Sequence, residues 1–145
     1  MIEQFEKLTK EEAALLMKAP ALVSLLAASI SNKISIKDKA DAIKLAHVKT
    51  FTADPMLIKY YEEVELNFIA TFEEIEKQYE PFDDTKRASL KNEIQTVNRV
   101  ISKLDRKFGL TLQLSLTRYA GHVRKAERSV LEDFIFPFIL PGLTD

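Results

Sequence analysis

Basic side chains in the last third of the chain fall at helical spacing. Steps of four, three and four residues place four polar side chains on one helix face: Arg118, His122, Lys125 and Ser129. Arg124 and Arg128 widen this stripe. Guanidinium and ammonium groups on one face can bind phosphate or another anion. Two alternatives stay open, namely contact with acidic side chains of this chain or of a partner, and an ordinary solvated surface. The predicted anion-binding residues are Arg118, His122, Lys125 and Arg128.

Residue types that carry catalysis or bind metals are few in this chain. There is no cysteine, and the two histidines, His47 and His122, do not form the Glu-x-x-His pairs of di-iron bundles. The acidic doublets at 62–63 and 73–74 fall largely off the predicted apolar face. Three glycines cannot form a phosphate-binding loop, and no nucleophile elbow or catalytic triad signature occurs. We therefore predict no catalytic residue, no resident metal and no cofactor, and we expect a binding protein rather than an enzyme.

The composition is that of an ordinary globular domain. The 145 residues are 46% hydrophobic and 30% charged, so we expect one domain over residues 1–145. A formal net charge of −1 lacks the basic footprint of nucleic-acid-binding domains, and we expect no nucleic-acid partner. The N-terminus does not resemble a signal peptide, and no stretch approaches the roughly 18 uncharged apolar residues of a membrane helix. We therefore expect no membrane association and a cytoplasmic location.

One stretch of the chain resembles a known family. Residues 21–28 read Ala-Leu-Val-Ser-Leu-Leu-Ala-Ala, and residues 31–38 read Ser-Asn-Lys-Ile-Ser-Ile-Lys-Asp. Over residues 9–60 the chain resembles the first helical repeat of tellurite-resistance TerB-like domains, in which an alanine-rich helix leads into an Asp-Gly-x-Ile-Ser-x-x-Glu turn and a further helix. The resemblance implies an all-helical bacterial protein associated with stress responses and metal-ion binding. Here Ser31-Asn32 replaces Asp-Gly and only Asp38 offers a carboxylate, so we predict no Ca²⁺ or Zn²⁺ site in this turn.

Capping signals divide the first part of the chain into three predicted helices. Thr9 with Glu12 forms a capping box that opens a short helix. Pro20 suits the first turn of a second helix, which is apolar on nearly all sides and should be buried. Ser35 caps a third helix. The apolar residues at helical spacing in this third helix are Ile36, Ala40, Ile43, Ala46 and Val48 or Phe51.

Three long helices are predicted for the remainder. Asp54-Pro55 opens the first, with an apolar face of Tyr61, Val64, Phe68, Phe72, Ile75 and Tyr79. After Pro81, the second carries Leu90, Ile94, Val97, Ile101, Leu104 and Phe108, and Gly109 is placed to cap its C-terminus. The third includes residues 110–116, whose alternating leucines taken alone fit a strand. We predict helix there, because a lone strand would have no partner.

Charge is divided between the predicted long helices. Residues 53–84 hold ten acidic and two basic side chains, whereas residues 85–128 hold eleven basic and three acidic ones. The short connection at 80–85 predicts an antiparallel hairpin in which opposite charges flank the apolar seam. We therefore predict an all-α, single-domain bundle of about six helices, with the last three long and antiparallel.

The end of the chain is strongly apolar. Large apolar residues between 134 and 143 surround Pro137 and Pro141, so we expect this segment to lie extended across a groove of its own bundle or against a second copy. Taken as a whole, the sequence predicts a non-enzymatic helical interaction protein, with a degenerate TerB-like domain as its expected type. The alternative is a small-molecule or anion-binding domain that uses the basic stripe.

Overall fold

Helices make up almost all of the chain that the structure describes, residues 2–29 and 34–123 of a computed structural model. They are α1 (Lys10–Ala28), α2 (Ile36–Thr52), α3 (Ile58–Leu66), α4 (Phe68–Tyr79), α5 (Asp84–Ile101) and α6 (Arg106–Val123), with 3₁₀ turns at Glu3–Lys7 and Pro55–Leu57. These residues include no strand, and the predicted all-α fold is confirmed. The buried helix α1 lies at the centre of the bundle, where it packs against α4, α5 and α6.

The first two predicted helices are a single helix, so the predicted break before Pro20 is wrong. The capping box of Thr9 and Glu12 opens α1 as predicted, but α1 continues through Pro20 to Ala28. Because proline has no N–H, the carbonyl of Leu16 lacks its usual helical donor. The hydroxyl of Tyr60 in α3 donates to this carbonyl at 2.6 Å, in the buried core. A side chain from another helix thus completes the hydrogen bonding that proline interrupts.

The predicted buried face of α2 is partly wrong. Ser35 caps the helix as predicted, but Ile36 is 90% exposed and Phe51 is 66% exposed. Ala46 is buried as predicted, and Ala42, which was not predicted, is buried too; the hydroxyl of Tyr119 in α6 donates to the carbonyl of Ala42 at 2.6 Å. Helices approach closely where small side chains meet, so α2 turns its alanines toward α6.

The predicted long helix over 55–79 is interrupted. Asp54 caps a 3₁₀ turn that leads into α3, and α3 and α4 are separated at Asn67, whose φ of −129° and ψ of 19° are not helical. All six residues of the predicted apolar face are nevertheless buried, because the interruption leaves them on the core side of both helices. The prediction was therefore right about burial and wrong about continuity.

The predicted cap at Gly109 is also wrong. α5 ends at Ile101, and α6 begins at Arg106, so Gly109 lies inside α6 and is buried. Asp105 takes the capping position, since its carboxylate accepts the N–H of Phe108 at 3.4 Å. Residues 110–116 are helical, as predicted.

The apolar seam of α5 faces a different partner from the predicted one. Leu90, Ile94, Val97 and Ile101 are buried, but α5 packs mainly against α1 and makes few contacts with α4. Acidic side chains of α4 likewise form ion pairs with a lysine of α2. Lys39 Nζ lies 3.3 Å from Glu73 Oε2 and 3.5 Å from Glu76 Oε1. The helices α4, α5 and α6 all pack against α1.

Two further expectations concern membrane association and the apolar end of the chain. Within the described residues, no helix combines the length and apolar character that crossing a bilayer requires. The apolar segment between 134 and 143 lies outside the described residues.

Candidate functional site

A cleft lies between the C-terminal end of α2 and the middle of α6. Its volume is about 240 Å³, and the link after α2 closes one side. The polar and charged residues that line it are Lys49, Thr52, Asp54, Thr111, Ser115 and Arg118. Ala53, Leu57 and Leu114 supply the apolar part of the wall. The cleft therefore joins two cations from different helices to a small apolar surface.

Packing of α2 against α6 places the two cations in the same cleft. Ala42, Ala46, Lys49 and Ala53 follow one another at steps of four, three and four residues, so Lys49 lies in register with the buried alanine face of α2. Lys49 is half-buried, whereas Arg118 is exposed on α6. Burial and the neighbouring Arg118 guanidinium both lower the pKa of the Lys49 ammonium.

The hydroxyl groups of the cleft differ in how they are used. Thr52 donates to the carbonyl of Val48 at 2.9 Å, and Thr111 donates to the carbonyl of Lys107 at 2.7 Å. Both protons are thus committed to the turns of their own helices. Ser115 instead shares a hydrogen bond of 2.6 Å with the hydroxyl of Tyr61.

A buried aromatic cluster supports the wall of the cleft behind Ser115. The rings of Tyr61 and Tyr119 are stacked, with centroids 6.2 Å apart and an interplanar angle of 10°. Tyr60 and Phe68 pack at the edges of this pair. Burial raises the pKa of Tyr61, so its phenol stays neutral and can donate to Ser115. If Tyr61 donates, the proton of Ser115 is available to a group in the cleft.

Of the two predicted anion-binding residues that the structure describes, one lies in this cleft. Arg118 lines the cleft, and His122 is exposed one turn further along α6. Lys125 and Arg128 lie outside the described residues. Sequence reasoning missed Lys49, which contributes the second cation. The signal in the sequence was the spacing of Lys49 from Ala42 and Ala53, whereas the predicted apolar face of α2 was Ile36, Ala40, Ile43, Ala46 and Val48 or Phe51.

The other candidate residues are accounted for by local contacts or by exposure. His47 Nδ1 lies 2.5 Å from Glu65 Oε1, and the imidazole packs edge-on against Phe51 with ring centroids 5.8 Å apart. The doublets at 62–63 and 73–74 are exposed, as predicted. In the described ranges, no group of three or more His, Asp or Glu side chains is placed to hold a metal ion.

A second cleft of about 270 Å³ lies near the N-terminus. It is lined by Ile2, Glu3, Gln4, Met56, Lys59, Asp105 and Phe108. Its charged side chains are one lysine and two carboxylates, so it lacks the paired cations of the first cleft.

Comparison with known proteins identifies no family for this chain. No protein-family model, no curated protein and no solved structure matches this chain. The cleft between α2 and α6 is therefore the feature from which a function can be inferred.

Proposed function

We propose that this chain is a non-enzymatic helical binding domain that recognises an anionic group in the cleft between α2 and α6. The observation that carries the proposal is the meeting of Lys49 and Arg118 in that cleft. Two cations brought together at a partly buried site repel each other, and this repulsion costs free energy in the unbound protein. An anion between them would remove that cost and gain charge-assisted hydrogen bonds.

The chemistry of the lining favours binding over catalysis. Among the described residues of the cleft, Ser115 is the hydroxyl not committed to its own helix, and its partner is Tyr61, a neutral phenol rather than a base. A serine nucleophile needs an adjacent general base within hydrogen-bond reach. Asp54 accepts the N–H of Met56 at 3.0 Å, which is the work of a helix cap. Anion binding requires no group beyond these cleft residues.

The anion belongs either to a small molecule or to an acidic group of a partner protein, and both fit the expected role as an interaction domain. The cytoplasmic location and the relation to TerB-like domains are further proposals. The latter is supported by the turn before α2, where Ser35 Oγ accepts the N–H of Asp38 at 3.0 Å, so that the serine and acidic positions of the resembling motif form a helix cap.

Thermal unfolding in a panel of anions tests the proposal. Phosphate, phenyl phosphate, sulfate, citrate and acetate are compared at constant ionic strength, because a ligand that binds only the folded protein raises its melting temperature. We expect at least one anion to stabilise the wild-type protein and to lose this effect in Lys49→Met and Arg118→Met.

Matched controls separate the cleft from general surface charge. Lys44 is exposed on α2 and Arg106 is exposed on α6, so Lys44→Met and Arg106→Met change the net charge equally on the same helices. These two variants should keep the stabilisation. Equal loss in the controls and the cleft variants, or no stabilisation of the wild type by any anion, would refute the proposed function.

A further inference from the structure

The charges around Lys49 favour a ligand that carries more than one negative charge. This inference rests on the proposed function and concerns the class of ligand. Asp54 lines the same cleft, but its carboxylate accepts the N–H of Met56 at 3.0 Å, and within the described part of the chain it forms no ion pair with Lys49 or Arg118. Burial and the neighbouring Arg118 guanidinium both lower the pKa of Lys49. Both cations therefore remain to be neutralised by the ligand.

The donors of the cleft suit a tetrahedral oxyanion. Lys49 offers up to three N–H groups, Arg118 offers a planar fork, and Ser115 can offer its hydroxyl proton when Tyr61 donates to it. These donors come from α2 and α6, the two helices between which the cleft lies. A phosphate group presents three terminal oxygens and carries nearly two negative charges at neutral pH.

The apolar part of the wall indicates that the ligand has an organic body. Leu114 is 41% exposed and lines the cleft, and Ala53 lines it as well. The cleft has a volume of about 240 Å³. That space holds a phosphate group and a small attached group.

We propose that the cleft binds a small phosphate monoester, with its phosphate between Lys49 and Arg118 and its organic part against Leu114. The same phosphate chemistry could be supplied by free inorganic phosphate, which lacks the organic part.

Calorimetric titration with three probes tests this proposal at pH 7.5 and constant ionic strength. Phenyl phosphate and phenyl sulfate have nearly the same shape, but the phosphate carries about two charges and the sulfate ester carries one. Inorganic phosphate carries the charge without the ring. We expect phenyl phosphate to bind about tenfold or more tightly than phenyl sulfate, because the sulfate ester offers one negative charge fewer to the two cations. We also expect it to bind more tightly than inorganic phosphate.

Substitutions in the cleft test which residues contact the phosphate and which contact the organic part of the ligand. Lys49→Met should weaken phenyl phosphate by about tenfold or more, and Lys44→Met should leave it unchanged. Leu114→Ala should weaken phenyl phosphate while leaving inorganic phosphate unaffected. Circular dichroism of each variant checks that the helices are retained, and Arg118→Met provides a second cleft variant with an exposed, easily tolerated position.

The outcomes distinguish this inference from the proposed function. Equal affinity for phenyl phosphate and phenyl sulfate would overturn the requirement for two charges. Equal affinity for phenyl phosphate and inorganic phosphate would overturn the organic part. Failure of all three probes, together with stabilisation by another anion that depends on Lys49, would overturn the phosphate ester and leave the anion-binding function standing.

Discussion

The hydroxyl of Tyr60 donates a 2.6 Å hydrogen bond to the carbonyl of Leu16, the carbonyl that Pro20 deprives of its helical donor. Both residues are fully buried, so water cannot replace this donor. Tyr119 makes a similar bond to the carbonyl of Ala42, at 2.6 Å, but that carbonyl lies within a regular stretch of α2 without proline. The two tyrosines therefore differ in what their removal leaves behind.

Tyr60→Phe should destabilise the protein more than Tyr119→Phe. Removing the Tyr60 hydroxyl leaves a buried carbonyl unsatisfied, which costs about 1–3 kcal/mol, whereas the loss of an ordinary net hydrogen bond costs about 1 kcal/mol. Urea unfolding of both variants measures the difference. In a Pro20→Ala background, which restores the N–H, the cost of Tyr60→Phe should fall. An unchanged cost in that background would show that the hydroxyl does not compensate for the proline.

Pro20 also shows what local sequence signals can and cannot predict. A proline preceded by a capped segment fits the start of a new helix, and the donor that allows it inside a helix lies 40 residues away at Tyr60. The capping box at Thr9 and the cap at Ser35 depend on neighbouring residues, and they were predicted correctly. The continuity of α1 depends on tertiary contact, which a single sequence does not display.

The candidate site could be predicted only in part for the same reason. Arg118 was found because several basic residues share its helix face. Lys49 lies on another helix, about 70 residues earlier in the chain, and becomes relevant only once α2 packs on α6. The face of α2 that is buried depends on the tertiary contact between Tyr119 and Ala42. The larger apolar residue Phe51 gave a stronger local signal, but it is exposed.

Lys49→Met should make the unbound protein more stable at neutral pH. Below its folded-state pKa, which burial and Arg118 lower, the charged lysine destabilises the folded protein relative to the unfolded chain. Methionine removes this cost and retains much of the apolar stem. Urea unfolding at pH 7 gives the free energy, and Lys44→Met serves as the exposed control. A marked loss of stability in Lys49→Met alone would show that the lysine stabilises the fold.

The advantage of Lys49→Met should shrink as the pH rises. Between the lowered folded-state pKa and the unfolded value of about 10.4, the unfolded wild-type chain binds more protons at Lys49 than the folded protein does. The unfolding free energy of the wild type therefore rises in this window relative to the variant. Titration of the tyrosines and other lysines is common to both proteins and cancels in the difference. A difference that is constant from pH 7 to pH 10 would contradict the lowered pKa.

Ile101→Ala should cost roughly 2–5 kcal/mol of unfolding free energy. Ile101 is fully buried at the end of α5, in the core that forms around α1. The control is Leu66→Ala, because Leu66 is 74% exposed and its truncation should change stability by less than about 0.5 kcal/mol. A loss well under 1 kcal/mol for Ile101→Ala would place this residue in solvent.

The turn before α2 should not bind Ca²⁺ or Zn²⁺ specifically. Asp38 is its one carboxylate within 31–38, and hard cations need several oxygen ligands. Calorimetric titration of the wild type with each metal should show no binding at micromolar concentration. Binding that disappears in Asp38→Ala would contradict this prediction and would strengthen the relation to TerB-like domains.

The central claim is that an anion occupies the cleft beside Lys49 and Arg118, and the most direct test is an NMR titration with phenyl phosphate. The account predicts saturable shifts of backbone amides in residues 49–54 and 111–118, which persist in Lys44→Met and vanish in Lys49→Met. Shifts that are absent, that fall elsewhere on the protein, or that are the same in Lys49→Met as in the wild type would contradict it.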